Sequence, residues 1–190
     1  MYQTREEWLG AAINELRPFF EASNFPLPDR IRVTCGFPSK AARSEKARRI
    51  GEHWAPSASE DGTHEILISP VVDEVVEVFA ILCHELAHAA TNGDGHKGRF
   101  PACVRALRLE GKPSATVAGD AFKATFEQLI DGLGQYPHAR LNIKGRKTQS
   151  TRLLKAQCQC GYTIRLTAKW ANTGLPTCHC GGEFELEVKE

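Results

Sequence analysis

The stretch from about Val71 to Ala90 is strongly apolar, yet it contains two histidines and a glutamate. Its apolar residues recur at the spacing of a buried helical stripe, and Asn92-Gly93 supplies a stop at the C-terminal end. Residues 84–88 read HELAH, which puts both histidines on one face of that helix. Burying these polar groups is costly unless a partner satisfies them. The chain is therefore expected to fold around a core helix with a metal site on one face.

The pattern HExxH has a specific zinc chemistry. His84 and His88 direct two imidazoles at one metal ion, and Glu85 lies beside them. A catalytic zinc takes three protein ligands and keeps one position for water, whose pKa falls toward about 7, so a nearby carboxylate can accept its proton. This arrangement hydrolyses amides, and it predicts a metalloprotease with Glu85 as the catalytic residue. The alternative interpretation of so short a pattern is a helix with two partly buried histidines.

A third zinc ligand is expected soon after this helix. The candidates are His96, Asp94 and the more distant Glu110. Residues 93–95, Gly-Asp-Gly, predict a tight turn that brings His96 back over the metal, and imidazole suits zinc better than a carboxylate. His96 is therefore favoured, with Asp94 as a turn residue or a supporting partner.

Four of the seven cysteines crowd near the C-terminus as two Cys-x-Cys pairs. YTIRLTAKW and EFELEV predict strands of a hairpin with the pairs at its ends. A segment this short needs a staple, and in a reducing compartment paired cysteines indicate a metal site before disulfides. A zinc ribbon with a structural Zn²⁺ is predicted, with two disulfides or an empty site as the alternatives, and with His179, between the second pair, as a substitute ligand. The predicted ligands are Cys158, Cys160, Cys178 and Cys180.

The charge is unevenly distributed along the chain. Residues 132–182 hold eight Lys or Arg and no acid, whereas residues 1–131 hold 15 Lys or Arg against 19 acids. Phosphate backbones attract basic surfaces, and aromatic rings stack on unpaired bases. DNA is the predicted partner, single-stranded rather than duplex; the alternative is a solvated linker, with Trp170 packed on the ribbon. The predicted contact residues are Lys144, Arg146, Lys147, Arg152, Lys155, Arg165, Lys169 and Trp170.

The rest of the pattern predicts an α+β fold. Thr4 and Glu7 form a capping box for a helix over residues 4–22, and the strands IRVTCGF, EHW and HEILIS follow. RFPACVRALRLEG predicts a helix that ends at Gly111, and DAFKATFEQLIDG predicts another. We expect a domain over residues 1–132, a basic linker over 133–152 and the ribbon over 153–190. The other histidines of the first domain and linker receive no chemical role; they are His53, His64 and His138.

Composition agrees with a soluble globular protein, at 42% hydrophobic and 25% charged residues. No stretch approaches the roughly 20 apolar residues that a membrane span needs, and the N-terminal residues lack the apolar run of a signal peptide. The sequence predicts a cytoplasmic protein without a membrane partner, and association with the nucleoid fits the expected DNA partner.

Residues 84–100, HELAHAATNGDGHKGRF, and residues 48–70, RRIGEHWAPSASEDGTHEILISP, resemble the SprT-like metallopeptidases, which include the Spartan proteases that act on DNA–protein crosslinks. The first segment resembles the family's HExxH and third-ligand segment, although Lys97 separates His96 from Gly98. The second resembles the strand pair ending in Ile-Ser-Pro that precedes the family's active-site helix. The cysteine module is similar as well, so the resemblance spans about residues 25–185.

The resemblance implies a zincin-like metallopeptidase domain with a small sheet and an HExxH active-site helix, followed by a zinc ribbon. It implies His84, His88 and His96 as ligands of a catalytic zinc, Glu85 as the catalytic carboxylate, and proteins bound to DNA as substrates. The alternative function is a zinc-ribbon nucleic-acid or transcription-associated binding protein whose HExxH site is vestigial.

Overall fold

A computed structural model describes residues 2–44, 47–143 and 153–187. The chain divides into two compact units, residues 1–143 and 144–190. Together they form a mixed α+β protein with small sheets, as the sequence predicts. Within the described ranges, no helix is long and apolar enough to cross a membrane.

The first unit begins with helix α1, Arg5–Ala22. The hydroxyl of Thr4 accepts a hydrogen bond from the backbone of Glu7, and the Glu7 carboxylate accepts one from the backbone of Thr4, so the predicted capping box is confirmed. One face of α1 is buried through Trp8, Leu16 and Phe20. The helix is therefore fixed to the core along its length.

A three-stranded sheet follows, made of β1 (Ile31–Cys35), β2 (Gly51–Trp54) and β3 (His64–Ile68). The strand order is β1-β3-β2, with β1 parallel and β2 antiparallel to β3. A short 3₁₀ turn, Pro56–Ala58, lies between β2 and β3. The central strand β3 alternates buried and half-buried side chains, as expected for a sheet covered on one face.

Helix α2, Val75–Ala90, packs on this sheet and carries residues 84–88. It begins where the Glu74 side chain accepts hydrogen bonds from two backbone N–H groups of the first turn. It ends before Asn92 and Gly93, which both take positive φ, so the predicted stop is confirmed. The apolar face of α2 joins the main core, which fixes the rotation of the helix and hence the direction of its histidines.

The next segment differs from its prediction. Helix α3, Phe100–Ala106, is shorter than the expected helix ending at Gly111, because Arg108 adopts a positive φ and breaks the repeat. A hairpin that the sequence did not predict follows, with β4 (Glu110–Lys112) paired to β5 (Ala115–Val117). The helix prediction was therefore wrong beyond Leu107.

Helix α4, Asp120–Leu133, completes the helical part of the first unit. The residues that follow α4, up to residue 143, still belong to the first unit. Tyr136 packs edge-on against Trp8 at 5.2 Å between ring centroids, and the Leu141 N–H donates to the Pro70 carbonyl at 2.7 Å. Of the linker expected over residues 133–152, residues 144–152 lie outside the described part of the chain.

The second unit contains β6 (Leu154–Cys158), β7 (Thr163–Leu166), α5 (Ala168–Thr173) and β8 (Phe184–Leu186). The strands form an antiparallel sheet in the order β7-β6-β8. The strand predicted over YTIRLTAKW is therefore wrong in its second half, where α5 replaces it. The unit has a small core of its own, formed by Ala156, Cys158, Cys178 and Phe184.

Candidate metal centres

Three histidines of the first unit converge on one point. Each offers a ring nitrogen, and these ligand atoms all lie within 4.8 Å of one another. His84 and His88 come from successive turns of α2, and His96 comes from the loop after it. Phe100 stacks on His88 at 4.2 Å between ring centroids and closes one side of the cluster. A largely buried helix and an exposed loop thus contribute to one candidate metal site.

The loop after α2 turns through Gly93 and Gly95, both at positive φ, which lets the chain reverse as expected. The other two candidate ligands have different roles. The Asp94 carboxylate accepts a hydrogen bond of 2.8 Å from the Arg99 N–H at the start of α3. The Glu110 carboxylate lies against Gly119, where an added Cβ would be 2.0 Å from Glu110 Oε1. Among the described residues, only His96 joins the two helix histidines in this cluster.

The pKa values of all three imidazoles are lowered, which favours their neutral form. Burial lowers the pKa of His84 to about 4 and the pKa of His88 to about 3, and the neighbouring histidines add to both effects. Burial and the charge of Arg49 lower the pKa of His96 as well. A neutral imidazole has a free lone pair, which is the form that binds metals, so this donor set fits a zinc ion.

Glu85 is also buried, with 6% of its surface exposed. Within the described residues its carboxylate has no hydrogen-bond partner, and burial raises its pKa to about 8, opposed by the charge of Arg49. The carboxylate fits because Gly51 of β2 faces it: a Cβ at Gly51 would lie 2.3 Å from Glu85 Oε1. No pattern in the sequence marks Gly51, because only the folded sheet brings it to Glu85.

A charged network next to Gly51 holds Arg49. The Arg49 guanidinium donates to the Glu52 carboxylate at 2.7 Å. Ser39 donates twice to the same carboxylate, through its backbone N–H and its hydroxyl, both at 2.7 Å. Glu52 is buried, so the network fixes a cation whose charge acts on Glu85, His88 and His96 alike. No motif in the sequence indicated this arrangement.

Two histidines that received no role lie beside the cluster. His53 of β2 stacks on His88 at 6.0 Å between ring centroids, and its Nε2 is 2.9 Å from His64 Nδ1. Burial lowers the pKa of His53 to about 4, so it adds no positive charge beside the ligands. His138 is different, because its Nε2 donates to the Pro70 carbonyl and it only joins the end of the first unit to its core.

The four cysteines of the second unit form the other cluster, with their Sγ atoms within 4.8 Å of one another. The two Cys-x-Cys segments adopt the same turn. Gly161 and Gly181 have positive φ, and their N–H groups donate to the carbonyls of Cys158 and Cys178. All four thiols are free. The structure therefore has the two matching knuckles that the sequence predicted for a ribbon.

The sulfur geometry fits a tetrahedral metal rather than disulfides. Sγ atoms of Cys158 and Cys180 are 3.6 Å apart, as are those of Cys160 and Cys178, far beyond a disulfide bond of about 2.05 Å. Four thiolates about 2.3 Å from a zinc ion are separated by about 3.8 Å. Gly182 leaves the space open, since a Cβ there would come within 3.0 Å of Cys158 Sγ.

The basic residues predicted to contact DNA divide into two groups. Lys144, Arg146, Lys147 and Arg152 lie outside the described residues. In the described part, Lys155 and Arg165 oppose each other across β6 and β7, and Lys155 Nζ also bonds to Glu187 at 2.7 Å. Lys169 Nζ lies 5.1 Å from the ring centroid of Trp170, which is 59% exposed. Trp170 is therefore not part of the ribbon core.

Comparisons with protein families, curated proteins and solved structures find no match to this chain. What the protein can do is therefore inferred from its two clusters of candidate metal ligands and the residues around them. One cluster combines three neutral imidazoles with a buried carboxylate, and the other combines four thiols in a small sheet.

Proposed function

We propose that this chain is a zinc-dependent metalloendopeptidase of the SprT-like type, with a zincin-like catalytic domain and a zinc ribbon. The observation that carries the proposal is the pairing of three converging imidazoles with a buried carboxylate that has no hydrogen-bond partner among the described residues. A site with this composition suits hydrolysis of an amide, because it combines a metal with a proton acceptor.

His84, His88 and His96 would hold the catalytic zinc through their neutral ring nitrogens. A zinc ion there supplies a Lewis acid that polarises a peptide carbonyl and lowers the pKa of water. Glu85 accepts the proton of the attacking water at its carboxylate and delivers it to the departing amine. Arg49 favours the ionised form of Glu85 that this step requires, and Glu52 holds Arg49 in position.

The rival function is a zinc-stabilised nucleic-acid or transcription-associated binding protein with a vestigial HExxH site. Glu85 argues against it, since a structural zinc needs no proton acceptor. Burying this carboxylate is unfavourable for folding, as its raised pKa indicates, and Gly51 leaves room for it. An unfavourable feature of this kind is typical of a functional site.

The second unit is proposed to hold a structural zinc through its four cysteines and to bind DNA near protein substrates. Support comes from the exposed side chains of Trp170 and Tyr162, from Lys169 next to the Trp170 ring, and from Arg165 on β7. Cations neutralise phosphates and an exposed ring stacks on an unpaired base, so single-stranded DNA is the favoured ligand. Proteins bound to DNA are accordingly the proposed substrates.

The test is cleavage of a DNA-binding protein by the zinc-loaded full chain, alone and with single-stranded or duplex DNA. We expect cleavage by the wild type, stimulation by single-stranded DNA, and none by Glu85→Gln. Equal cleavage by Glu85→Gln would reject the catalytic assignment. Cleavage without any DNA effect would reject the DNA-directed part alone. Specific DNA binding without cleavage under any condition would favour the rival function.

A further inference from the structure

The β4–β5 hairpin approaches the candidate catalytic site through one side chain. Both strands have three residues, and all are exposed except Thr116, which is half-buried. Its Oγ1 lies 2.8 Å from Nδ1 of His84. A strand that is otherwise turned to solvent thus directs a single hydroxyl at a proposed metal ligand.

Strand β5 of the hairpin contacts α2 at the edge of an open pocket. A cavity of about 400 Å³ lies between them, with Thr116, Val117 and Ala118 on the hairpin side and Ala80 and Ile81 on the α2 side. Close packing does not continue across this cavity. The contact between Thr116 and His84 is therefore a polar link from the hairpin to the metal site.

Zinc binding by His84 would fix which atom donates in this hydrogen bond. A neutral imidazole has one protonated and one free nitrogen, and a metal requires the free one. When Nε2 holds the metal, the ring proton is on Nδ1, 2.8 Å from the Thr116 hydroxyl oxygen that accepts it. Partners of this kind fix both the tautomer and the ring orientation of ligating histidines. Among the described residues, no other group bonds to Nδ1 of His84.

We propose that Thr116 is a positioning residue that holds His84 as the Nε2 ligand of the catalytic zinc. This rests on the proposed function, because it takes His84 as a ligand. Removing the hydroxyl frees the ring to rotate and to take the other tautomer. The first property to change is then the affinity for zinc, which is measurable without any substrate.

The variant Thr116→Val keeps the shape of the side chain and removes the hydroxyl, while Thr116→Ser keeps the hydroxyl. Thr125→Val is the matched control, because the exposed Thr125 hydroxyl donates to the Ala121 carbonyl within α4, away from the histidine cluster. Zinc affinity is measured on the full chain by competition with a chromophoric chelator, after the ribbon site is filled. We expect Thr116→Val to weaken binding about 10- to 100-fold, with Thr116→Ser and Thr125→Val within about threefold of the wild type.

Nitrogen NMR of the zinc-loaded wild type gives a readout that needs no variant. We expect His84 to carry its proton on Nδ1; a proton on Nε2 would overturn the proposal. Unchanged affinity in Thr116→Val would also overturn it. If His84→Ala abolishes binding in the same assay, the assignment of the metal site itself still stands. If the wild type binds zinc only at the ribbon and His84→Ala changes nothing, the proposed function and the role of Thr116 are both rejected.

Discussion

Gly51 and Glu85 are so close that position 51 has no room for a side chain: an added Cβ would lie 2.3 Å from Glu85 Oε1. The strand supplies the space, and the helix fills it with a buried carboxylate. The sequence gives no sign of this contact, because β2 and α2 come together only in the folded chain.

Gly51→Ala is expected to displace the Glu85 carboxylate and lower kcat by at least about tenfold, with zinc content unchanged, because the proposed ligands are other residues. Cleavage rate and metal content are measured on the same sample. Gly132→Ala is the control, since a Cβ there meets nothing within 4 Å. Full activity in Gly51→Ala would show that the carboxylate does not depend on this space.

The stability of the zinc-free chain should carry the signature of Glu85. Burial raises its pKa from 4.5 to about 8, so between these pH values the unfolded chain is ionised while the folded chain keeps the proton. The unfolding free energy of the wild type is therefore highest, as far as Glu85 is concerned, below pH 4.5, and it falls as pH rises toward 8. Glu85→Gln lacks this loss, so its unfolding free energy relative to the wild type should rise with pH, by at most about 1.4 kcal/mol per pH unit.

Urea unfolding of both zinc-free proteins between about pH 5 and pH 8 measures this difference. The buried histidines have lowered pKa values in both proteins, so their effect cancels in the comparison. A difference that stays constant over this range would mean that Glu85 is ionised in the folded chain.

His96→Ala should lower both zinc content and cleavage, because it removes one of the three converging nitrogens. Glu110→Gln is the control, since its carboxylate packs at Gly119, and it should change neither quantity. Metal analysis after dialysis against a mild chelator makes the comparison. The opposite pattern, with zinc lost only in Glu110→Gln, would mean that the third ligand is wrong.

Trp170→Ala should weaken binding to single-stranded DNA by about 1 to 3 kcal/mol and affect duplex binding less, because stacked bases offer no free face. Trp54→Ala is the matched control, as Trp54 is an exposed tryptophan of the first unit. Arg165→Gln should reduce the slope of log affinity against log salt by about one. Equal losses for single-stranded and duplex DNA would argue against stacking.

The sequence predicted features that depend on local spacing. The helix carrying HELAH, its stop, the capping box at Thr4 and the paired cysteine knuckles follow from residues a few positions apart. The β4–β5 hairpin did not follow, because strands of three mostly exposed residues have no hydrophobic period to detect.

The surroundings of the site were missed for a different reason. Gly51, Arg49, His53 and Thr116 are brought to the histidines by sheet pairing and by the hairpin, over separations of about 30 residues or more. No pattern in a single sequence marks such neighbours. The candidate ligands were thus predictable as a motif, whereas the residues around them required the fold.

The central claim is that His84, His88 and His96 hold a zinc ion beside a carboxylate that acts as a base. It is tested most directly by measuring zinc content and cleavage on the same preparations of wild type, Glu85→Gln and His88→Ala. We expect about two zinc ions per chain and cleavage for the wild type, two without cleavage for Glu85→Gln, and one without cleavage for His88→Ala. A single zinc ion per chain in the wild type, unchanged by His88→Ala, would contradict the account.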